Sequence, residues 1–320
     1  MPGRGRGEGM GRRTFSSWRQ YTLVAVSLGV GACRKPREVA LVIVTEAPVA
    51  DLVRRVAGAD AEVRAIPRPD GEGRPFGAPE DANVNANGGR PARLAVRVGL
   101  GLDDWLDEVA KRQRPPARSL AIGDRVPTRI LTLPARAMGS ESSDPHDNPS
   151  KLDPYVWLDP QRMRLAAKAI GEELVRADGS HAVAYRFRAG QVDDELGRFD
   201  DAIEAKLKAC APPAMIADLP SLGYFSERYG VPVLTVLRPF AQAPSASWMT
   251  AVRADIADNP QAVVVVTASE IPEEAKTLGR PISHVSLAGK TIEAAVEALA
   301  NALCAPQNMA PLPQTDKTKS

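Results

Sequence analysis

The stretch SHAVAYRFRAGQVDDELGRFDDAIEAKLKA, residues 180–209, decides the fold, because it predicts one uninterrupted helix near the middle of the chain. Its apolar residues recur at the spacing of one helix face: Tyr185, Val192, Leu196, Phe199, Ile203 and Leu207. Ser180 is a predicted N-cap. A helix of about 27 residues is roughly 40 Å long at 1.5 Å per residue. This length predicts a spine that runs the height of two lobes.

The carboxylates of VDDELGRFDD, residues 192–201, fall on this helix. We interpret them as its solvated face, which could also meet a membrane permease.

Short β-branched runs alternate with helical patterns on both sides of the spine. The runs before it end at Val44, Ile66, Gly99, Ile122 and Leu133, and those after it lie at 214–218, 231–237, 262–267 and 282–287. Apolar strands separated by helices are typical of parallel α/β sheets. We therefore predict two Rossmann-like α/β lobes with parallel sheets, at 34–160 and 210–304, joined by a long, rigid helical spine within a linker at 161–209. The Pro-rich residues 305–320 are predicted to form a disordered tail.

Residues 1–33 have the features of an export signal. An Arg-rich start precedes the apolar segment YTLVAVSLGVGA, which is too short to stay in a bilayer as a spanning helix. VGAC resembles a bacterial lipobox, so we predict Cys33 as the lipid-bearing first residue of an extracytoplasmic lipoprotein. A plain secretory peptide is the alternative. Arg12 and Arg13 also resemble a twin-arginine signal.

Composition and charge restrict the function further. The chain has 320 residues and a net charge of +2, and eight of its basic residues precede position 40, which argues against a nucleic-acid partner. Cys210 and Cys304 could pair in an oxidising compartment or remain two unconnected thiols. The sequence shows no catalytic arrangement of Ser, His, Asp or Cys, so we predict that the protein is not an enzyme.

Four motifs occur in an order that resembles one known family. They are IVTEAPVADLVRRVAG (43–58), RVGLGLDDWLDEV (97–109), DPYVWLDP (153–160) and SLGYFSERYGVPV (221–233). With the spine and the lipobox, they resemble the substrate-binding proteins of zinc and manganese ABC transporters, the TroA-like or ZnuA-like group. The resemblance covers nearly all of the chain after the signal and implies that a metal ion is held between the two lobes.

The resemblance also implies a set of metal ligands, mostly histidines with one Asp or Glu, as zinc prefers. Here Gly73, Tyr155 and Leu219 stand at the three histidine positions, and the acidic ligand falls near His284 and Ser286. Gly73 and Leu219 cannot bind a metal. The usual ligands are therefore substituted.

Four side chains remain as candidate metal ligands: Tyr155, Asp218, His284 and His146. A phenol must lose a proton with a pKa near 10 to bind, so Tyr155 suits ferric iron or a metal chelate better than zinc. Asp153 is a further oxygen donor for such a site.

Each candidate also has a purely structural interpretation. Tyr155 and Trp157 could pack the junction of the first lobe with the spine. His146 could be a solvated loop residue, and His284 a satisfied residue at a strand end. His181 is interpreted as an ordinary surface residue.

Two functions of different classes remain. The first is a monomeric solute-binding lipoprotein that captures zinc, manganese, iron or a metal chelate and delivers it to an ABC-transporter permease. The second is a scaffold or interaction lipoprotein that kept the fold after losing metal binding.

Overall fold

The computed structural model describes residues 39–66, 90–131, 152–239 and 243–305. The predictions for the signal, Cys33, Gly73, His146 and the segment after residue 305 lie outside this part of the chain. No helix among the described residues combines the length and the apolar character needed to cross a membrane.

The first lobe contains a four-stranded parallel sheet. Its strands are β1 (Ala40–Val44), β2 (Ala61–Ala65), β3 (Leu94–Arg97) and β4 (Arg118–Ala121), in the order β2-β1-β3-β4. Helix α1 (Ala47–Ala57) follows β1, and α2 (Trp105–Arg112) follows β3. The strand β1 is buried along its whole length, as an interior strand covered on both faces must be. The edge strands β2 and β4 carry charged residues, and the interior strand β3 carries one at its end, Arg97.

The second lobe repeats this topology. Its strands are β5 (Met215–Ala217), β6 (Val233–Val236), β7 (Val263–Val266) and β8 (Ile282–His284), in the order β6-β5-β7-β8. Its helices are α5 (Gly223–Tyr229), α6 (Ala246–Asp258), α7 (Glu273–Lys276) and α8 (Ile292–Leu303). The two parallel α/β lobes predicted from the sequence are confirmed.

Two antiparallel helices connect the lobes: α3 (Pro160–Ala177) and α4 (Ala182–Cys210). Asp159 caps α3, because its carboxylate accepts from the backbone N–H groups of Gln161 and Arg162. The two helices approach closely at Gly171, where an added Cβ would lie 2.9 Å from the Cβ of Ala189. The helix α4 has 29 residues, so the long spine is also confirmed.

The start and one face of the spine differ from the prediction. Ser180 does not cap α4; it lies in the 3-10 turn before it, and the carboxylate of Asp178 caps that turn. The carboxylate run is not wholly solvated either, because Asp200 is fully buried in the row of core residues. Its carboxylate accepts hydrogen bonds from Gln161, Arg228 and Tyr229. Burial raises the pKa of Asp200, but these hydrogen bonds outweigh it and hold the pKa below its ordinary value.

One core cluster runs through both lobes. It extends from the inner face of the first sheet, at Val42 and Val96, across α3 and α4 to Met215 and Val265 of the second sheet. Separate clusters under α2 and α6 cover the outer faces. The spine therefore shares its buried surface with both lobes.

Polar ties reinforce this shared core. Arg55 of α1 donates to Glu293 of α8 and Glu195 of α4, at 2.7 Å in each case. Cys210, the last residue of α4, and Cys304, just after α8, form a disulfide with Cα atoms 5.6 Å apart. The second lobe is thus bonded to the spine at the end of the chain segment that the structure describes.

The strand predicted to end at Leu133 lies only partly within the described residues, which stop at residue 131 here. Among the described residues, this region forms only a single antiparallel bridge between Ile130 and Leu152. The side chain of Ile130 is 58% exposed, so the β-branched run has no sheet face to cover.

Candidate ligand site at the carboxyl edges of the two sheets

Each sheet has a topological switch point at the ends of its two central strands, which we call its crevice. Strand order reverses between β1 and β3 in the first lobe and between β5 and β7 in the second. In open α/β sheets the ligand binds at such a reversal, beyond the carboxyl ends of the strands. We call this end of each sheet its carboxyl edge.

The crevice of the first lobe holds a buried aspartate. Asp103 has no exposed surface, and its carboxylate accepts from the N–H groups of Val98 and Gly99, at 2.9 and 2.7 Å, and from the hydroxyl of Thr45. Burial raises the pKa of Asp103, and these hydrogen bonds oppose the rise. Asp103 therefore bonds the residue after β1 to the loop after β3.

The crevice of the second lobe holds an equivalent pair. Asp218, directly after β5, is also fully buried. Its carboxylate accepts from the N–H and the hydroxyl of Thr267, both at 2.9 Å, and from the N–H of Ala268 at 3.0 Å. The hydroxyl of Ser221 lies 3.1 Å from that of Thr267. Both oxygens of this candidate metal ligand are thus occupied by donors of its own lobe.

Arg238 lies beside the second crevice. It follows β6, and its backbone N–H donates to the carbonyl of Asp218 at 2.8 Å. Its guanidinium lies 3.7 Å from Asp218 Oδ2, which is an ion-pair distance but too long for a hydrogen bond. A positive charge therefore lies at this carboxyl edge.

A cluster that we call the lobe joint bonds the segment after β4 to helix α5 of the second lobe. It consists of Arg129, Asp153, Gly223, Tyr224 and Glu227. Arg129, which follows β4, donates to Asp153 at 2.9 Å and to Glu227 of α5 at 3.1 Å. The hydroxyl of Tyr224 donates to the carbonyl of Asp153 at 3.0 Å. An added Cβ at Gly223 would lie 1.6 Å from Arg129 Nη1, so only glycine admits this guanidinium.

The lobe joint shifts the ionisation of its acidic member. Asp153 has no exposed surface, and burial raises its pKa to about 6, although hydrogen bonds from the N–H of Tyr155 and from Arg129 oppose the rise. Burial likewise raises the pKa of Tyr224 to about 12. The joint is therefore a desolvated polar contact between the lobes.

Tyr155 lies next to this joint. Its side chain is partly buried, packs against the core and makes an edge-on contact with Trp157, with ring centroids 5.4 Å apart. The packing interpretation of the aromatic pair thus has structural support, and the phenol remains a candidate ligand.

The other candidates lie in separate surroundings. His284 is exposed at the end of β8, and its Nε2 lies 2.9 Å from the carbonyl of Ala268. Asp218 accepts from the N–H of the same residue, so His284 and Asp218 are neighbours. Leu219 is partly buried and offers no donor. Within the part of the chain that the structure describes, no three His, Cys, Asp or Glu side chains could hold a metal ion together.

His181 differs from the surface residue that we predicted. Its side chain is 20% exposed, and Nδ1 lies 2.6 Å from a carboxylate oxygen of Asp178. It belongs to the turn before α4 and not to a carboxyl edge.

Sequence reasoning missed Thr45, Asp103 and Arg238. Each of them follows a predicted strand within a few residues, and this position was the available signal. Their partners lie far away in the chain, so no local pattern indicates the contacts.

The solved structures show the same fold in other proteins. The periplasmic zinc-binding protein TroA from Treponema pallidum has 20% sequence identity and a TM-score of 0.64, with 84% of this chain and 99% of that chain covered. A zinc-bound variant of AdcAII from Streptococcus pneumoniae has 18% identity and a TM-score of 0.67, with 84% and 100% covered. The laminin-binding protein Lmb of Streptococcus agalactiae, described as an adhesin with metal-transporting activity, has 18% identity and a TM-score of 0.63, with 83% and 100% covered.

The sequence gives the family assignment. No curated protein matches the chain. The model of the family described as zinc-uptake complex component A, periplasmic, matches residues 42–302, which include both lobes and the spine. Proteins of this family are periplasmic substrate-binding proteins of metal transport. The chain belongs to the family of periplasmic zinc-uptake component A proteins.

Proposed function

We propose that this protein is an extracytoplasmic solute-binding lipoprotein of a metal-type ABC transporter. It captures a metal ion or metal chelate at the carboxyl edges of its two lobes and delivers it to a membrane permease. One observation supports this most directly: the lobe joint bonds the segment after β4 and residue Asp153 to helix α5, so that segments following strands of both sheets are in contact. The export signal and a lipid on Cys33 would keep the protein at the membrane surface.

The donor set does not fit a bare zinc ion. Tyr155 and Leu219 stand at histidine positions, and the oxygens of Asp218 accept three hydrogen bonds within the lobe. Zinc prefers nitrogen and sulfur ligands with few carboxylates. A phenolate and carboxylates suit ferric iron better, and a chelated metal brings its own ligands. We therefore favour iron or a metal chelate over zinc and manganese as the cargo.

Elemental analysis, which detects a metal bound to the purified protein, and thermal unfolding with added metals test this proposal. The chain with Cys33→Ser, which removes the lipid attachment point, is purified, and thermal unfolding is followed with zinc, manganese, ferric iron and ferric citrate. We expect a stabilising shift with ferric iron or its citrate chelate. Tyr155→Phe keeps the ring packing and removes the phenol oxygen, so a shift that it abolishes would assign this oxygen to the site. If no metal or chelate is bound or stabilises the protein, metal capture is wrong.

The second candidate function is a scaffold or interaction lipoprotein. The absence of a three-residue metal group among the described residues favours it. The internal bonding of Asp103 and Asp218 points in the same direction, because neither carboxylate has an oxygen without a donor. This function would be supported if the chain bound no metal or chelate in the assay above but still bound a permease or another partner protein.

The shared core and the spine predict little movement between the lobes. Small-angle scattering of the protein with and without its ligand should give nearly the same radius of gyration. A large compaction would show that the spine acts as a hinge.

A further inference from the structure

The side chain of Arg238 lacks hydrogen-bond acceptors within the described part of the chain. It is 21% exposed, and its Nε is buried with no partner. The nearest carboxylate oxygen, Asp218 Oδ2, is 3.7 Å away and already accepts from the N–H of Ala268 at 3.0 Å. A guanidinium carries five N–H donors, so Arg238 can donate further hydrogen bonds to anionic oxygens.

The other two arginines with a buried, unpartnered Nε differ in this respect. The terminal nitrogens of Arg97 donate to Asp104 and Asp107. A terminal nitrogen of Arg280 donates to the carbonyls of Pro260 and Ala262, at the opposite edge of the second sheet. Arg97 also lies at a carboxyl edge, as the last residue of β3, but both of its terminal nitrogens are paired. Of these three arginines, Arg238 is the one that lies at a carboxyl edge, where ligands of α/β sheets bind, without a hydrogen-bond acceptor among the described residues.

The charge at this edge disfavours a bare cation. Both oxygens of the Asp218 carboxylate already accept hydrogen bonds from Thr267 and Ala268, and Leu219 adds no ligand. A divalent ion placed beside Arg238 would be repelled by the positive guanidinium, and the single adjacent carboxylate of Asp218 could offset only part of that repulsion. A carboxylate or phosphate group would instead match the planar fork of the guanidinium with two parallel hydrogen bonds.

We propose that Arg238 binds a carboxylate or phosphate group of the solute, so that the second lobe recognises an anion and not a bare metal ion. The inference rests on the proposed role in solute capture and names the chemical class of the solute. The anion is either free or the chelating part of a metal complex. Both present the same oxygens to Arg238.

Isothermal titration calorimetry of the purified chain with Cys33→Ser tests the inference. The probes are citrate, inorganic phosphate, ferric citrate and zinc chloride. We expect citrate, phosphate or ferric citrate to bind, and Arg238→Gln to weaken binding roughly ten- to a hundredfold, the effect of losing charge-assisted hydrogen bonds. Arg238→Lys keeps the charge without the fork and should lose less. Arg280→Gln is the matched control and should bind as the wild type does.

The outcomes separate this inference from the proposed function. If ferric citrate binds and citrate alone does not, the anion is part of a chelate; the reverse result identifies a free anion. Equal binding by Arg238→Gln and the wild type, or failure of all three anionic probes, overturns the inference. If zinc chloride alone binds and Arg238→Gln does not change its affinity, solute capture stands and anion recognition is wrong. Thermal unfolding of each variant checks that it is folded. If Arg238→Gln does not fold, Arg238→Lys takes its place in the comparison with the wild type.

Discussion

Replacing Gly223 by alanine should break the lobe joint. The new Cβ would lie 1.6 Å from Arg129 Nη1 and 2.6 Å from Asp153 Oδ2. Non-bonded atoms need roughly 3.5 Å, so the guanidinium must move by about 2 Å. Arg129 then loses its 2.9 Å hydrogen bond to Asp153 and its 3.1 Å hydrogen bond to Glu227. The backbone of Gly223 has no left-handed φ, so alanine adds no backbone strain there.

The magnitude follows from the burial of Asp153. This carboxylate has no exposed surface, and the departure of Arg129 leaves it with the N–H of Tyr155 as its remaining hydrogen-bond donor. Removing one partner of a buried ion pair costs about 3–5 kcal/mol. Partial exposure of Arg129 and the retained hydrogen bond reduce this cost. We expect Gly223→Ala to lower the free energy of unfolding by about 3 kcal/mol at pH 7.5.

The loss should depend on pH. Asp153 has a pKa of about 6 in the folded protein, so it is largely neutral at pH 5 and needs Arg129 less. Removal of Arg129 raises the pKa of Asp153 further, and stability then falls more steeply as pH rises above 6. The loss in Gly223→Ala should therefore shrink to roughly 1–2 kcal/mol at pH 5, the cost of overpacking.

Urea unfolding at the two pH values measures the effect, with Gly190→Ala as the matched control. An added Cβ at Gly190 meets nothing within 4 Å on the exposed side of α4, so alanine there should stabilise the helix by up to about 1 kcal/mol. A loss below about 0.5 kcal/mol in Gly223→Ala would refute the contact itself. An equal loss at pH 5 and pH 7.5 would refute the ion-pair explanation.

Three further predictions concern stability. Because the folded pKa of Asp153 is raised from 3.8 to about 6, its ionisation should lower wild-type stability by roughly 3 kcal/mol as pH rises from about 3 to about 7, and urea unfolding of Asp153→Asn should lack this component. Asp200→Ala should lower the free energy of unfolding by about 3–5 kcal/mol, because it leaves buried donors unpaired, whereas the exposed Asp201→Ala should change it by less than about 0.5 kcal/mol; equal effects would contradict the buried network. The disulfide of Cys210 and Cys304 closes a loop of 94 residues, so the double serine variant should unfold at lower urea concentration, with a loss of about 2–4 kcal/mol, and an unchanged midpoint would argue against the bond.

Much of the fold could be predicted because its signals are local. The run ALVIV of β1 and the run VVVV of β7 are apolar along their whole length, as buried parallel strands are, and both are strands in the structure. The run near Ile130 has the same β-branched character but does not join the sheet, which ends at β4. Whether such a run finds a neighbouring strand depends on residues elsewhere in the chain.

The candidate site was less predictable. The sequence placed Asp218 and His284 at strand ends, and the structure shows them there as neighbours of Ala268. It did not indicate that Asp218 bonds Thr267, which is 49 residues away, or that Arg238 lies beside this pair. Such partners are set by the packing of strands that are not adjacent in sequence.

The sequence by itself determined the order of strands and helices, the long spine and the substitution of the histidine positions by Tyr155 and Leu219. Only the tertiary structure decided which charged groups are buried and which partners they have. Asp200 appeared as part of a solvated acidic face, but packing of α3 and α5 against α4 enclosed it with three hydrogen-bond donors. Periodicity depends on neighbours within a few residues, whereas the state of a buried charge depends on groups that folding brings together from distant parts of the chain.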